Sequence, residues 1–198
     1  MSEPKPPYVM TIDAGTGSGR ALVFDSQGNA LSVAQREWVL PADSRYPGSA
    51  VFDTTEAWRL IGECSREAIA KSGLAPSQIA AVTATSMREG MVLYDAARRE
   101  IWACPNIDAR AREEAEELVA DGTAELIYDT GGDWVGIISP PRFRWLARHE
   151  PALFERMRHV SMISDWVLMR LSGELATDRS CGSSSGLLIS PAARGRPD

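Results

Sequence analysis

The sequence predicts an α/β domain built on a mixed sheet, with three antiparallel strands followed by parallel strands and flanking helices. Two observations carry this. Three β-rich runs, at 8–13, 21–25 and 31–39, are joined by connections too short for a parallel return, so they pair antiparallel. A later run, Ile79-Ala-Ala-Val-Thr-Ala-Thr85, is apolar on both sides and arrives after a helical segment. That is the pattern of a central strand reached by a crossover and parallel to the first. The chain has 198 residues, 44% hydrophobic and 24% charged, with a mean hydropathy of -0.19. Such values belong to an ordinary globular protein with one large or two small domains, not to a disordered chain.

The elements follow in order. Residues 1–7 are polar and proline-rich and read as a tail. Ser26-Gln-Gly-Asn29 is a turn between the second and third strands. After an irregular loop at 41–52, Asp53 or Thr54 caps a helix whose Trp58, Ile61, Cys64, Ala68 and Ile69 recur at helical spacing until Lys71 and Gly73 end it. Residues 91–94 and 100–103 form a hairpin about 95–99. From Asp108 a charged helix is expected, with Ala111, Ala115, Leu118 and Val119 inward and the charges of 110–117 on a solvated face. Ser139 before Pro140 reads as the N-cap of a helix with Phe143, Leu146 and Ala147 on its inner face. A further helix runs from Ser164 to Gly173, residues 178–185 read as a serine-rich flexible loop, and 191–198 carry no element. The domain is therefore placed at 8–190, with 191–198 read as a truncation point.

Several function classes drop out. A net charge of -6 provides no general field for a phosphate backbone, so nucleic acid is not an expected partner. Three well-separated cysteines, Cys64, Cys104 and Cys181, suit free thiols in a reducing compartment and a cytoplasmic location. No signal-like or membrane-spanning apolar run is present, and no membrane partner is expected. With only His149 and His159, a multi-histidine metal site is impossible.

Three segments can carry chemistry. In Asp13-Ala-Gly-Thr-Gly-Ser-Gly-Arg20, glycines admit close approach, Thr16 and Ser18 add hydroxyls and Arg20 adds charge. Together they can cradle a polyphosphate, with Asp13 suited to a water-bridged Mg²⁺; a plain hairpin turn explains them equally well. Because this loop joins strand to strand, it is neither a Walker nor a dinucleotide loop, both of which open a helix. Ser86-Met-Arg-Glu-Gly90 ends the expected central strand, where open α/β sheets bind ligands. Arg88 and Glu89 there offer donors and acceptors to a polyhydroxylated molecule, against the alternative of an incidental surface ion pair. In Pro105-Asn-Ile-Asp-Ala-Arg110, Asn106, Asp108 and Arg110 can face a cleft, although capping is the safer role for Asp108. Trp58, Trp145 and Trp166 sit in helical stripes and read as core, whereas Trp102 and Trp134 adjoin polar loops.

These residues resemble the FGGY family of carbohydrate kinases. The likeness starts with the strand and hairpin Val9-Met-Thr-Ile-Asp-Ala-Gly-Thr-Gly-Ser-Gly-Arg20. It continues through Thr85-Ser-Met-Arg-Glu-Gly90, Trp102-Ala-Cys-Pro-Asn-Ile-Asp-Ala-Arg110, Thr130-Gly131, Ser161-Met-Ile-Ser-Asp-Trp166, Leu171-Ser-Gly-Glu174, Thr177-Asp178 and Gly186-Leu-Leu188. The resemblance implies the actin-like (ribonuclease H-like) ATPase fold, with ATP and Mg²⁺ as cofactors and a small sugar-like substrate. Within the family the autoinducer-2 kinases are most similar, which implies phosphoryl transfer to a hydroxyl of open-chain autoinducer-2. Glycerol kinase-like members place a tryptophan where Asn106 stands and a tyrosine near Ile137, and xylulose kinase-like members have a different polar motif at Arg88 and Glu89.

On that resemblance Asp13 would organise Mg²⁺ through water, and Gly15, Thr16, Gly17, Ser18 and Arg20 would line the ATP phosphates. Arg88 and Glu89 would bind substrate hydroxyls, with Asn106 and Asp108 completing the wall. The family's catalytic base and adenosine-binding second domain would lie beyond Asp198, so this chain alone is expected to be inactive and to partner a C-terminal kinase domain. A homodimer is left open. The alternatives are a non-catalytic sugar-binding or nucleotide-binding protein of the same fold, and a kinase for another polyol or ketose.

Overall fold

The computed structural model describes residues 6–188; the start of the expected tail, the boundary at 190 and the segment 191–198 lie outside the described residues. In chain order the elements are β1 (Tyr8–Ala14), β2 (Ser18–Phe24), β3 (Ala30–Glu37), α1 (Thr54–Ser72), β4 (Ile79–Ser86), β5 (Met91–Tyr94), β6 (Glu100–Cys104), α2 (Arg112–Ala120), α3 (Thr123–Gly131), α4 (Ser139–His149), α5 (Pro151–Arg156), β7 (His159–Met162), α6 (Ile163–Ser172) and α7 (Arg179–Ser184). They divide into two compact units. The first holds residues 6–40, 53–87 and 163–174, and the second holds 41–52, 88–162 and 175–188.

In the first unit, alternation along β1 sends Tyr8, Met10, Ile12 and Ala14 to one buried face. Strand order is β3-β2-β1-β4, with β1 antiparallel to β2, β2 antiparallel to β3, and β4 parallel to β1. The expected antiparallel trio and parallel return are both present. The turn between β2 and β3 is built by Asp25, whose carboxylate accepts from the backbone of Gln27 and Asn29, while Gly28 supplies a φ of 81°. Helix α1 packs on β2 and β3, and α6 packs on β4 and β1. Trp58 meets Trp166 edge-on at 6.0 Å; Trp166 is fully buried as expected, whereas Trp58 is half-buried, with Arg170 over its ring at 4.9 Å.

Strand β4 departs from expectation. Among the described residues it is an edge strand, not a central one, and most of its side chains are exposed, Val82 included. Its parallel pairing with β1 is as expected, and its apolar character on both faces marks a strand suited to burial without implying that both sides are covered here.

The second unit has a smaller sheet, β6-β5-β7, antiparallel throughout. Its core gathers Met91, Leu93, Cys104, Trp145, Leu146 and Met162. The β5–β6 hairpin is as expected, and Asp95 repeats the device of Asp25 by accepting from the amides of Ala97 and Arg99. Burial pushes the Cys104 thiol up to about 11, which makes it core rather than nucleophile.

Several local expectations in this unit are corrected. Asp108 caps no helix, because α2 begins at Arg112 after Ala111. In α2 it is Glu114 that turns inward while Val119 is exposed, and in α4 Arg142 and Trp145 are buried while Ala147 is exposed. The α4 N-cap is Ile138, so Ser139 is the first helical residue. The serine cluster is helical in part, with Asp178 capping α7 through the Cys181 amide at 2.9 Å. Among the described residues no helix is long and apolar enough to cross a membrane.

At the start of α1, Asp53 accepts from the amides of Thr55 and Glu56 at 2.9 and 3.0 Å, and Gly73 ends the helix in the left-handed region. Replacing Asp53 by Ala should lower stability by about 1 kcal/mol in urea titrations, and Asn should recover most of the loss.

Candidate functional site

The hairpin of the first unit turns over three residues, 15–17. The Gly15 amide donates to the Ser18 carbonyl at 2.9 Å, so Gly15 can offer a ligand its bare Cα but not that amide. Behind the turn Trp38 closes the structure, donating from Nε1 to the Thr16 carbonyl at 3.1 Å and from its backbone to the Gly17 carbonyl at 3.2 Å. A Cβ on Gly19 would come within 2.7 Å of the Trp38 ring, whereas one on Gly17 would meet nothing within 4 Å. The two glycines therefore differ in purpose: Gly19 makes room for the tryptophan, and Gly17 leaves open space over the turn. Ser18 is buried.

Asp13 and Arg20 face each other across the hairpin at 3.4 Å, and Arg20 also donates to the Gln35 side chain at 2.9 Å. Among the described residues no cluster of three or more His, Cys, Asp or Glu could hold a metal by itself. Asp13 presents a single, partly exposed carboxylate. One carboxylate suits Mg²⁺ that keeps its waters and is shared with phosphate oxygens, and does not suit an ion caged by protein alone. The chemistry of the donor set thus fits Mg²⁺ in company with a polyphosphate.

In the second unit, the loop before β5 carries Arg88 and Glu89. Glu89 is buried, with its backbone in the left-handed region at a φ of 59°, a position uncommon for a residue with a side chain. Its carboxylate accepts from Arg88 Nε at 3.2 Å. Arg88 itself is 74% exposed and lies 3.8 Å from Asp133. A buried acceptor is therefore set beside a solvent-facing donor.

The loop after β6 has a different character. Asp108 does not face outward: its carboxylate is wholly buried, accepts from the Ala50 amide at 2.8 Å and pairs with Arg110 at 2.7 Å. Arg110 in turn donates to the Ala50 carbonyl at 3.1 Å, with Tyr46, Trp102 and Trp145 presenting their rings 5.0–6.0 Å from the guanidinium. Trp102 is thus an aromatic wall for Arg110. Asn106 is half-buried at the bend of this loop. Trp134 is exposed and meets Tyr128 edge-on at 6.1 Å.

Comparison with known proteins now bears on these parts. The model of the FGGY family of carbohydrate kinases, N-terminal domain, matches residues 8–189. The chain belongs to the FGGY family. It is 46% identical over 184 residues to autoinducer-2 kinases of Salmonella typhimurium and Escherichia coli, which is 91% of this chain and 35% of each relative. Xylulose kinase from Rhodospirillum rubrum shares its fold with a TM-score of 0.83 and 26% identity, over 94% of this chain and 38% of that one. The chain spans about a third of the length of the curated relatives it matches. As an FGGY domain it has the actin-like ATPase fold, whose antiparallel trio and parallel return are those of β1 to β4.

Against the FGGY expectations, the structure brings Asp13, Gly15, Thr16, Gly17, Ser18 and Arg20 together on one hairpin. It brings Arg88 and Glu89 together on another loop, and it turns Asp108 inward. Sequence reasoning missed Asp133 and Arg142. Asp133 follows a Gly-Gly pair beside the recognised Thr130-Gly131, and Arg142 stands at helical spacing with Trp145 and Leu146, a cation in an apolar stripe.

Two outcomes follow for FGGY chains of this kind. Gly19→Ala should cost about 1–3 kcal/mol by overpacking Trp38, while Gly17→Ala should stay within about 0.5 kcal/mol of the parent, both read from urea midpoints. Asp108→Ala strips the buried Arg110 of its counter-charge and should cost about 3–5 kcal/mol, with Asp108→Asn less severe because it keeps an acceptor for Ala50.

Proposed function

We propose that this chain is the hydroxyl-recognising and phosphate-binding part of an ATP-dependent kinase for a small polyhydroxylated molecule, with open-chain autoinducer-2 as the substrate. The observation that carries the reading is the Arg88 and Glu89 pair, a solvent-facing donor fork beside a buried carboxylate. Such a pair can donate to one hydroxyl or carbonyl oxygen and accept from another, which is what a short polyol or its ketone offers. Identity of 46% to autoinducer-2 kinases supports this substrate over glycerol or a pentulose.

On this reading Asn106 adds amide donors and acceptors to the wall, and Asp108 acts one step back by fixing the loop that bears Asn106. On the hairpin, the open space over Gly17 admits phosphate oxygens, Ser18 and Thr16 supply hydroxyls, and Arg20 supplies positive charge. Asp13 would hold Mg²⁺ through water, and the ion when bound would neutralise charge on the phosphates. Phosphoryl transfer asks mostly for positioning and charge stabilisation, which these groups provide. No described residue is assigned as the acceptor of the substrate's hydroxyl proton, and the chain alone is proposed to be inactive.

Calorimetry tests substrate recognition in the chain itself: autoinducer-2 should bind more tightly than glycerol or xylulose, and Arg88→Ala should weaken it about tenfold or more, equivalent to ~1.4 kcal/mol. Joined to the C-terminal two thirds of an autoinducer-2 kinase, the domain should turn over, and Arg88→Ala should then raise the KM for autoinducer-2 far more than that for ATP. Equal effects on both would remove Arg88 from the substrate wall.

A further inference from the structure

Arg142, in the first half of α4, is fully buried, yet none of its hydrogen bonds goes to a carboxylate. Its Nη1 donates to the backbone carbonyl of Glu89. Its Nη2 donates to the carbonyls of Pro105 and Asn106 at 3.2 and 3.4 Å, and its Nε has no partner. One planar guanidinium therefore spans two loops that are otherwise separated by the β5–β6 hairpin. Burying that charge is costly, and methionine would fill similar volume without the desolvation. What the charge achieves is specific: it stabilises the carbonyls of Glu89 and Asn106, two of the residues read as the substrate wall. At Glu89 it does so where the backbone is left-handed at 59°, a conformation that a non-glycine residue holds only when its surroundings fix it.

We propose that Arg142 is a positioning residue that couples the 88–90 and 105–107 loops, so that the acceptor on Glu89 and the amide of Asn106 are presented to substrate as one rigid surface. This deepens the autoinducer-2 reading and rests on it for the identity of the ligand, but the coupling of the loops is independent of that reading.

The test is made in the 198-residue chain by amide hydrogen exchange, with and without autoinducer-2. Arg142→Met should speed exchange at 88–90 and at 106–108 together by about tenfold, with α1 and the β1–β2 hairpin unchanged. Arg142→Lys keeps the charge, but a single ammonium lacks the fork needed for both loops. It should protect one loop and not the other, with autoinducer-2 affinity between those of the parent and Arg142→Met. Adding Glu89→Gly to Arg142→Met removes the left-handed penalty and should restore protection at 88–90 alone. Should Arg142→Met fail to fold, the Arg142→Lys comparison carries the result. Unchanged exchange at either loop in Arg142→Met, or a uniform rise that includes β5, β6 and all of α4, would overturn the coupling. If Arg88→Ala leaves autoinducer-2 affinity unaltered while Arg142→Met still loosens both loops, the substrate reading fails and the coupling stands.

Discussion

Two buried guanidinium groups, those of Arg110 and Arg142, hold the second unit together. The strands of that unit are only four or five residues long, so much of its backbone lies in irregular loops whose carbonyls have no ladder to join. Buried backbone groups must nevertheless be paired. Arg110 donates to the carbonyl of Ala50 in the 41–52 loop, and Asp108 accepts from the same residue's amide, so one ion pair satisfies both backbone polar groups of one distant residue. Arg142 does the equivalent for Glu89, Pro105 and Asn106. The rings of Tyr46, Trp102 and Trp145 make the interior tolerable for Arg110 by offering π faces where water would otherwise be needed. Polar order in this unit is therefore carried by side chains that an apolar pattern search treats as surface.

The first unit follows the opposite logic. Its backbone is satisfied by the β3-β2-β1-β4 ladder, and apart from the buried Asp25 and Asp165 its charges stay at the surface. Arg36 and Lys71 both pair with Glu67, and Arg59 pairs with Glu56 and Glu63 in a partly exposed network. Such pairs contribute little individually. Stability rests on α1 and α6 burying Ile61, Cys64, Trp166 and Val167 against the sheet. A tight constraint lies at the hairpin, where Trp38 claims the space that a side chain on Gly19 would need. The turn is consequently braced from behind by an aromatic ring while its Gly17 face stays open.

This contrast explains what was legible in the sequence. Period-two alternation in β1, the short turn at Asp25 and the helical stripe of α1 are local signals, and each appears where expected. The edge position of β4 is not local: small apolar residues suit either a covered or an open strand, and only strand order decides. Strand β7 is four residues long and too short to show a period. Asp108 looked like a cap because a carboxylate ahead of a helical stretch usually is one. Besides the nearby Arg110, it accepts from the amide of Ala50, 58 residues earlier, and no spacing rule reaches that far. Arg142 was missed for the same reason, since its three acceptors are carbonyls, which no residue type reveals. Arg88 and Glu89 stand out in the sequence as a donor beside an acceptor because that chemistry resides in their own side chains; their role toward a substrate is a proposal.

The division of labour between Arg88 and Glu89 follows from how differently the structure treats two adjacent residues. Glu89 is buried, its backbone carbonyl accepts from the buried Arg142, and its carboxylate accepts from Arg88. Arg88 is 74% exposed, and its contacts to Glu89 at 3.2 Å and Asp133 at 3.8 Å are of the kind that solvent screens, so its guanidinium is not locked in one position. A ligand hydroxyl that donates to Glu89 gains from an acceptor already in place, at little cost in ordering the protein. Arg88 must then be ordered over the ligand and gives back part of its interaction in lost side-chain freedom. On the proposed reading the buried carboxylate is suited to selecting the position of a hydroxyl, and the exposed guanidinium to completing contact with the oxygen next to it. On the same proposed reading, tolerance toward related short-chain substrates would arise at Arg88, and discrimination at Glu89.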